Sequence, residues 1–369
     1  MKADRLLGIM VTQGSKHPPT AHDPFPGRSG TFRQITQAAR QNDMEVCVFT
    51  PSGIDRKKRR VWAFMYVAEK GWQRFWFPLP KVIYNRVANR RAEQRQRVQN
   101  TFAWLKEQGI IVFNPGFLDK WVVYAHLQAD PHVSEYVPTT QLYNRPSQLV
   151  SALRAWKSIY CKPRTGSLGN GIAMISLTKT GGVEIRHNVS RDVRSRRILL
   201  RSEPELEAWA RQHLRSQQVC LQREVQLAQV RGRRFDIRAL VQKDDEGKWC
   251  FTGAAGRMAA AGQVTTHVPR GGSRLRLQEA LRAVYQKGCE EAARQALKNI
   301  CEKSAAVLEA RLGDIYGEFS LDIGLDTTGR FWILEMNAKP FRFDEPSIRQ
   351  VANRRLATFA QYLMQQQEE

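Results

Sequence analysis

The chain has 369 residues, is 42% hydrophobic and 25% charged, and carries 58 Lys and Arg against 35 Asp and Glu, a formal charge of +23. That length predicts two or three domains with sizeable cores, and no apolar run has the length to span a bilayer. The composition excludes a membrane-spanning helix and predicts a globular protein with a polyanionic neighbour: nucleic acid, an anionic polymer or a phosphate-rich ligand.

The apolar stretch 6–11 is too short for the core of a signal peptide, so it reads as a first buried strand in a cytoplasmic protein. Residues 45–50 and 81–84 read as strands ending in Pro51-Ser-Gly53 and Asn85-Arg86, with helices near 31–42 and 89–108 and a closing strand at 109–115. Strand–helix alternation with polar strand ends predicts a small parallel α/β domain over 1–115, with a cleft at those ends. The Pro- and His-rich segment 16–26 reads as a loop or a lid. A second unit, 116–218, holds helices near 118–127 and 146–157, then strands at 158–163 and 171–176 joined by a glycine-rich loop. The third, 219–369, holds β patterns, a helical stretch over 277–311, two strands at 317–326 and 331–337, and a closing helix at 347–364. The fold class is α/β with α+β character.

Basic residues recur at Arg56-Lys-Lys-Arg-Arg60, at Arg86, Arg90, Arg91, Arg95 and Arg97, and at Arg191, Arg194, Arg196, Arg197 and Arg201. A solvated helix face explains the second set as well as a ligand does. Aromatic residues are not interleaved with these runs along the sequence, which counts against a stacking platform for nucleic acid. The six cysteines show no Cys-x-x-Cys spacing and no adjoining His cluster, which argues against a zinc site or disulfide framework and for a reducing compartment.

The two C-terminal strands carry the first chemical signal. Strict alternation puts Leu321, Ile323 and Leu325 on one face of the first strand, with Glu318, Ser320 and Asp322 on the other; in the second, Trp332, Leu334 and Met336 oppose Ile333, Glu335 and Asn337. A four-residue turn at Thr327-Thr-Gly-Arg330 would set Asp322 across from Glu335 and Ser320 across from Asn337. Facing carboxylates, roughly 4.5–5.5 Å apart at Cβ, repel, so a positive charge is expected between them. An all-oxygen set of Asp322, Glu335 and Asn337 suits Mg²⁺, or Mn²⁺. An exposed hairpin with a solvated polar face reads equally well from these residues alone.

The loop Arg164-Thr-Gly166-Ser167-Leu-Gly169-Asn-Gly171 joins two strands and can turn backbone N–H groups onto an anion. It is neither a Walker A loop nor a dinucleotide fingerprint, and a plain hairpin loop would also explain its glycines. Lys162, on the preceding strand among apolar neighbours, calls for an anion such as phosphate.

Taken in order, Val48-Phe-Thr-Pro51, Val82-Ile-Tyr-Asn-Arg86, Phe113 to Trp121, Lys162-Pro163, Phe235 to Lys243 and Glu335-Met-Asn-Ala-Lys-Pro340 resemble ATP-grasp proteins of the YheC/YheD group associated with endospore coats. The resemblance spans nearly the whole chain. It implies an ATP-grasp fold after a small N-terminal α/β domain, and ATP with Mg²⁺ as ligands. It implies that Lys120 and Lys162 hold the nucleotide phosphates under a flap from Gly166 to Gly171. The strand around Gln222, Arg223 and Val225 would meet the adenine edge, and Asp236 would lie near the ribose. Arg238 would stand behind Asp236 at the ribose and phosphate end, Arg257 would steady the transferring phosphoryl group, and Asp322, Glu335 and Asn337 would hold the metal. Asp236 and Arg238 share a strand face and also read as a structural ion pair. Asn85, Arg86, His267 and Arg270 are acceptor-side candidates. His267 stands where related ligases often have Asn, Ala338-Lys-Pro340 replaces a common Pro-Gly continuation, and Arg223 replaces a common acidic hinge residue.

The resulting expectation is an ATP-dependent ligase forming a carbon–nitrogen bond, or acting on a thiol, through an acyl phosphate. Its substrates would be a carboxylate and a nucleophile, and its place the mother-cell cytoplasm or the spore coat. The alternatives are a non-catalytic nucleotide-binding spore-coat protein and a polyanion-binding protein.

Overall fold

The computed structural model describes residues 5–12, 20, 22–166, 169–187, 196–259 and 272–367. Three β-sheets organise them. The first contains β1 (Leu6–Met10), β2 (Glu45–Phe49), β3 (Ile54–Asp55), β4 (Arg60–Val67), β5 (Gly71–Pro78), β6 (Val82–Asn85) and β7 (Ile111–Phe113). Their order is β3-β4-β2-β1-β6-β7, with β5 on the outer edge of β4. β1 is buried along its whole length between two parallel neighbours, which is why it reads as a continuous apolar run. Helices α1 (Ser29–Arg40), α2 (Arg90–Glu93) and α3 (Gln96–Glu107) flank this sheet. The sheet is mixed rather than parallel, because β3, β4 and β5 add antiparallel. The single helix expected over 89–108 is two helices.

α4 (Lys120–Gln128) leads into an antiparallel second sheet of β8 (Thr140–Leu142), β9 (Ser158–Pro163), β10 (Ala173–Leu177), β11 (Val183–His187), β12 (Arg196–Leu200) and β13 (Val219–Arg223). α5 (Pro146–Trp156) and α6 (Glu203–His213) bury Leu149, Leu153, Leu206 and Trp209 against it. Its central strands, β9 and β13, lie side by side and carry Lys162 and Gln222.

The third sheet runs β17-β16-β15-β18-β19, with β14 beside β15: β14 (Gln229–Val230), β15 (Arg233–Lys243), β16 (Trp249–Met258), β17 (Ser273–Leu275), β18 (Glu318–Leu325) and β19 (Phe331–Asn337). The helical stretch expected over 277–311 divides into α7 (Leu277–Arg282) and α8 (Glu290–Leu312), and between them Gly288 takes φ +98°. Strand alternation sends Phe235, Ile237, Ala239 and Val241 into a core shared with α4 and α8. It leaves Asp236, Arg238, Leu240 and Gln242 on the opposite face.

The last helix, α9 (Pro346–Gln365), runs back to the first sheet. Leu356, Phe359, Ala360 and Leu363 join the core made by Leu7, Ile9, Ile35 and Val48. Among the described residues, no helix is long and apolar enough to cross a membrane.

Candidate functional site

Asp322 pairs with Glu335 and Ser320 with Asn337, the register expected from the sequence. The route to it differs. Leu325 pairs with Phe331, so five residues turn the chain, and the register slips by one between Asp322 and Ile323. That bulge leaves Leu334 as the extra residue and undoes strict alternation. Ile333 and Met336 both enter the core, while Glu335 and Asn337 share the other face. The expected grouping of Ile333 with Glu335 is therefore incorrect.

The bulge also aims the Leu334 carbonyl at α4 and at β9 of the second sheet. It accepts from Tyr124 Oη at 2.6 Å and from Lys162 Nζ at 3.3 Å. Lys162 is buried and also donates to Gln222 Oε1 at 2.6 Å. Burial lowers its pKa to about 8, against the opposing pull of the Glu335 carboxylate.

Lys120 reaches the same place from α4. Asp119 caps that helix by accepting from Trp121 N–H at 2.8 Å, and Arg164 holds Asp119 at 3.0 Å. Lys120 N–H donates to Arg164 O at 3.1 Å, which ties the helix start to the loop after β9. The ammonium then donates to Gly166 O at 2.7 Å and pairs with Glu335 at 3.2 Å. In that loop Gly169 and Gly171 take φ of +68° and +70°, and a Cβ at Gly171 would stand 3.1 Å from Pro163 Cγ. Ser167, His267 and Arg270 lie outside the described residues.

Across the sheet, Arg257 grips Asp236 with two bonds, of 2.8 and 2.7 Å, and reaches Asp322 at 2.9 Å. The two carboxylates raise its pKa above the ordinary guanidinium value against the cost of burial. Asp236 thus pairs with Arg257, its cross-strand neighbour, in place of an Asp236–Arg238 ion pair. Arg238 lies opposite Asp322 with its guanidinium 5.3 Å from the Phe343 ring centre. Burial lowers its pKa, and its Nε has no hydrogen-bond partner among the described residues. The positive charge expected between the facing carboxylates is thus supplied twice, by Arg257 at Asp322 and by Lys120 at Glu335.

Asp322, Glu335 and Asn337 present oxygen donors only, the chemistry of a hard cation. Ser320, fully buried on the same face, has an Oγ without a hydrogen-bond partner among the described residues. Among those residues no three His, Cys, Asp or Glu side chains cluster as a metal cage. Two carboxylates and an amide fit Mg²⁺ if phosphate oxygens or waters complete the shell.

Of the hinge candidates, Gln222 is buried, with its amide held by Thr140 Oγ1 at 2.9 Å. Arg223 is exposed and Val225 half-buried. The backbone N–H groups of Arg223 and Glu224 are taken by Thr139 O and Ser158 O at 2.9 and 3.1 Å.

Four residues along β18 from Asp322, roughly 13 Å away, Glu318 borders a cavity of about 260 Å³. Arg28, Arg86, Lys339, Phe32 and Phe341 also line it. Glu318 bonds Tyr84 Oη and lies 3.7 Å from Arg86, while Lys339 pairs with Glu93. Among the described residues the Arg28 guanidinium donates only to backbone, to Thr12 O at 3.0 Å and Arg86 O at 3.2 Å. Burial and the neighbouring Arg86 lower its pKa. Arg86 reaches this cavity, but Asn85 is spent on structure: it donates to Pro115 O at 2.8 Å and accepts from Val87 N–H at 3.0 Å.

Sequence reasoning missed Tyr124, Arg28 and Asn114. Buried Asn114, at φ +54°, accepts from Gly317 N–H and donates to Glu318 O, both at 2.8 Å, and also bonds Ala338 O. It fastens the open end of the β18–β19 hairpin to the first sheet. The signal available for it was Asn114 directly before Pro115, a turn-initiating pair.

A family profile described as YheC/D like ATP-grasp matches residues 109–364. The chain is 29% identical over 350 residues to the endospore coat-associated protein YheD of Bacillus subtilis (strain 168), covering 92% of this chain and 75% of that one. To YheC of the same organism it is 26% identical over 296 residues, 80% of each chain. Among solved structures, the ATP-grasp ligase PsnB complexed with a minimal precursor superposes with a TM-score of 0.52 at 17% identity, over 96% of this chain and 98% of that one. VanG D-Ala:D-Ser ligase from Enterococcus faecalis gives 0.52 at 10% identity, over 97% and 99%. These likenesses establish the fold, α/β of the ATP-grasp type, and the chain belongs to the YheC/D-like ATP-grasp family.

Proposed function

We propose that this protein binds ATP with Mg²⁺ in the cleft between its second and third sheets. There it transfers the γ-phosphoryl group to a substrate carboxylate. The acyl phosphate is then attacked at carbon by an amine or thiol, phosphate leaves, and ADP is the other product. The observation that carries this reading is the convergence of Lys120 and Lys162 with Asp322, Glu335 and Arg257 across that cleft.

Lys162 and Lys120 bind phosphate oxygens, the first held by Gln222 and the second held between Gly166 O and Glu335. Arg257, braced by Asp236, meets charge developing on the transferring group. Arg238, facing Asp322 with an N–H that no described residue accepts, orients the carboxylate. Mg²⁺ held by Asp322, Glu335 and Asn337 would neutralise phosphate charge when bound. Arg28, Arg86 and Lys339 give the neighbouring cavity a positive rim over an apolar wall, suited to an anionic acceptor with an apolar body. Because its relatives YheD and YheC are endospore coat-associated proteins, we assign its biological setting to the endospore coat.

The test is thermal melting with ATP and Mg²⁺, then a phosphate-release screen over amino acids, peptides and cell-wall fragments. A raised melting temperature that Lys162→Ala removes is expected. An unchanged melting curve at millimolar ATP sinks the nucleotide site; a shift with no phosphate release from any acceptor sinks the ligase.

A further inference from the structure

The β4–β5 hairpin carries a surface that the ATP site does not use. Cross-strand pairing brings Trp62 opposite Trp76 and Phe64 opposite Arg74, with Arg60 at the end of the same face. The two indole rings lie 5.3 Å apart, tilted by 43°. The Arg60 guanidinium sits 4.0 Å from the Trp76 ring centre, and Arg74 lies 5.3 Å from Trp62 and 5.0 Å from Phe64. The row continues inward to Tyr66, with Arg33 at 5.8 Å. From Arg60 to Tyr66 it runs about 20 Å. Arg74 has no ion-pair partner among the described residues, and Arg60 has one, Asp55 at 3.2 Å. Trp76 is 47% exposed.

We propose that this face binds single-stranded nucleic acid without strong sequence preference. Bases would stack on Trp76 and Trp62, while Arg60 and Arg74 take the phosphates. Three features favour that occupant. Alternating flat cations and π-faces match alternating phosphates and bases. The net charge of +23 supplies the complementary field. An acidic peptide would satisfy the arginines yet leave the Trp76 ring wet, and a duplex hides its base faces. Strand pairing joins Arg60-x-Trp62 of one strand to Arg74-x-Trp76 of the other in a single interleaved row.

The experiment is fluorescence anisotropy of the full chain with labelled oligo-dT, beside duplex DNA and poly-glutamate. Tight binding that quenches tryptophan fluorescence and falls steeply with salt is expected. Trp76→Ala should weaken oligo-dT binding about tenfold, Trp76→Phe should retain most of it, and Arg74→Ala should weaken it and flatten the salt slope. Trp76→Ala should keep the wild-type melting temperature and its shift with ATP. Absence of oligo-dT binding at physiological salt overturns the proposal. So does equal binding of poly-glutamate with Trp76→Ala neutral, which would mean charge alone.

Discussion

Lys162 Nζ lies 2.6 Å from Gln222 Oε1, and Thr140 holds the other end of the same amide at 2.9 Å. The ammonium is thus fixed before any phosphate arrives, so binding costs little further side-chain ordering. Its charge is the expensive part, because burial lowers its pKa to about 8.

The pH dependence follows in sign. The unfolded lysine titrates near 10.4, so between about 8 and 10.4 the unfolded chain binds the extra proton and stability rises with pH. Lys339, also lowered to about 8 mainly by burial, adds a slope of the same sign. Urea unfolding without nucleotide, wild type against Lys162→Met, should show the Lys162 share of the rise vanish in the variant. ATP needs the charged form, so the nucleotide-induced melting shift should shrink above pH 8. A shift constant from pH 7 to 9.5 would remove Lys162 from the phosphate site.

Asp236 and Asp322 both touch Arg257 but should respond differently. Asp236→Ala removes both bonds of a buried bidentate pair and should destabilise by about 3–5 kcal/mol. Asp322→Asn leaves that pair intact, so it should cost well under half as much while weakening Mg·ATP binding and removing turnover. Chemical denaturation and ATP titration of the two variants separate the roles. Equal stability losses would show that Asp322 is as structural as Asp236.

Asn114 should be as costly as a core residue despite its polarity. Asn114→Ala loses three buried hydrogen bonds and places alanine at φ +54°. A loss of about 3 kcal/mol is expected in denaturant unfolding. A loss below about 1 kcal/mol would mean that the hairpin is held elsewhere.

Elements whose signal is local were legible in the sequence. β1, β2 and β6 are short apolar runs; the Asp322–Glu335 pairing expected from a four-residue turn holds only because two departures cancel, a turn of five residues and the one-residue bulge at Leu334. The site's charge pairing was not legible, because it depends on contacts between strands. Asp236 chose Arg257 over Arg238 because neighbours two apart on one strand reach each other less directly than cross-strand partners. The bulge at Leu334 has no marker among apolar residues, yet it decides which carbonyl faces Lys162. On the β4–β5 hairpin the sequence shows Arg60-x-Trp62 and Trp72-x-Arg74-x-Trp76, but that the two sets meet in one row depends on the pairing register.

The course of α9 has a consequence for how the protein is made. The first sheet occupies residues up to 113, but its core includes Leu356, Phe359 and Leu363. A ribosome adding roughly 5–20 residues per second leaves that sheet uncapped for about 12–50 s while some 250 further residues are synthesised. α1 covers part of that apolar face meanwhile, but the strip that α9 buries stays open, so a nascent chain stalled before α9 is a natural client for a chaperone and an early target for proteolysis.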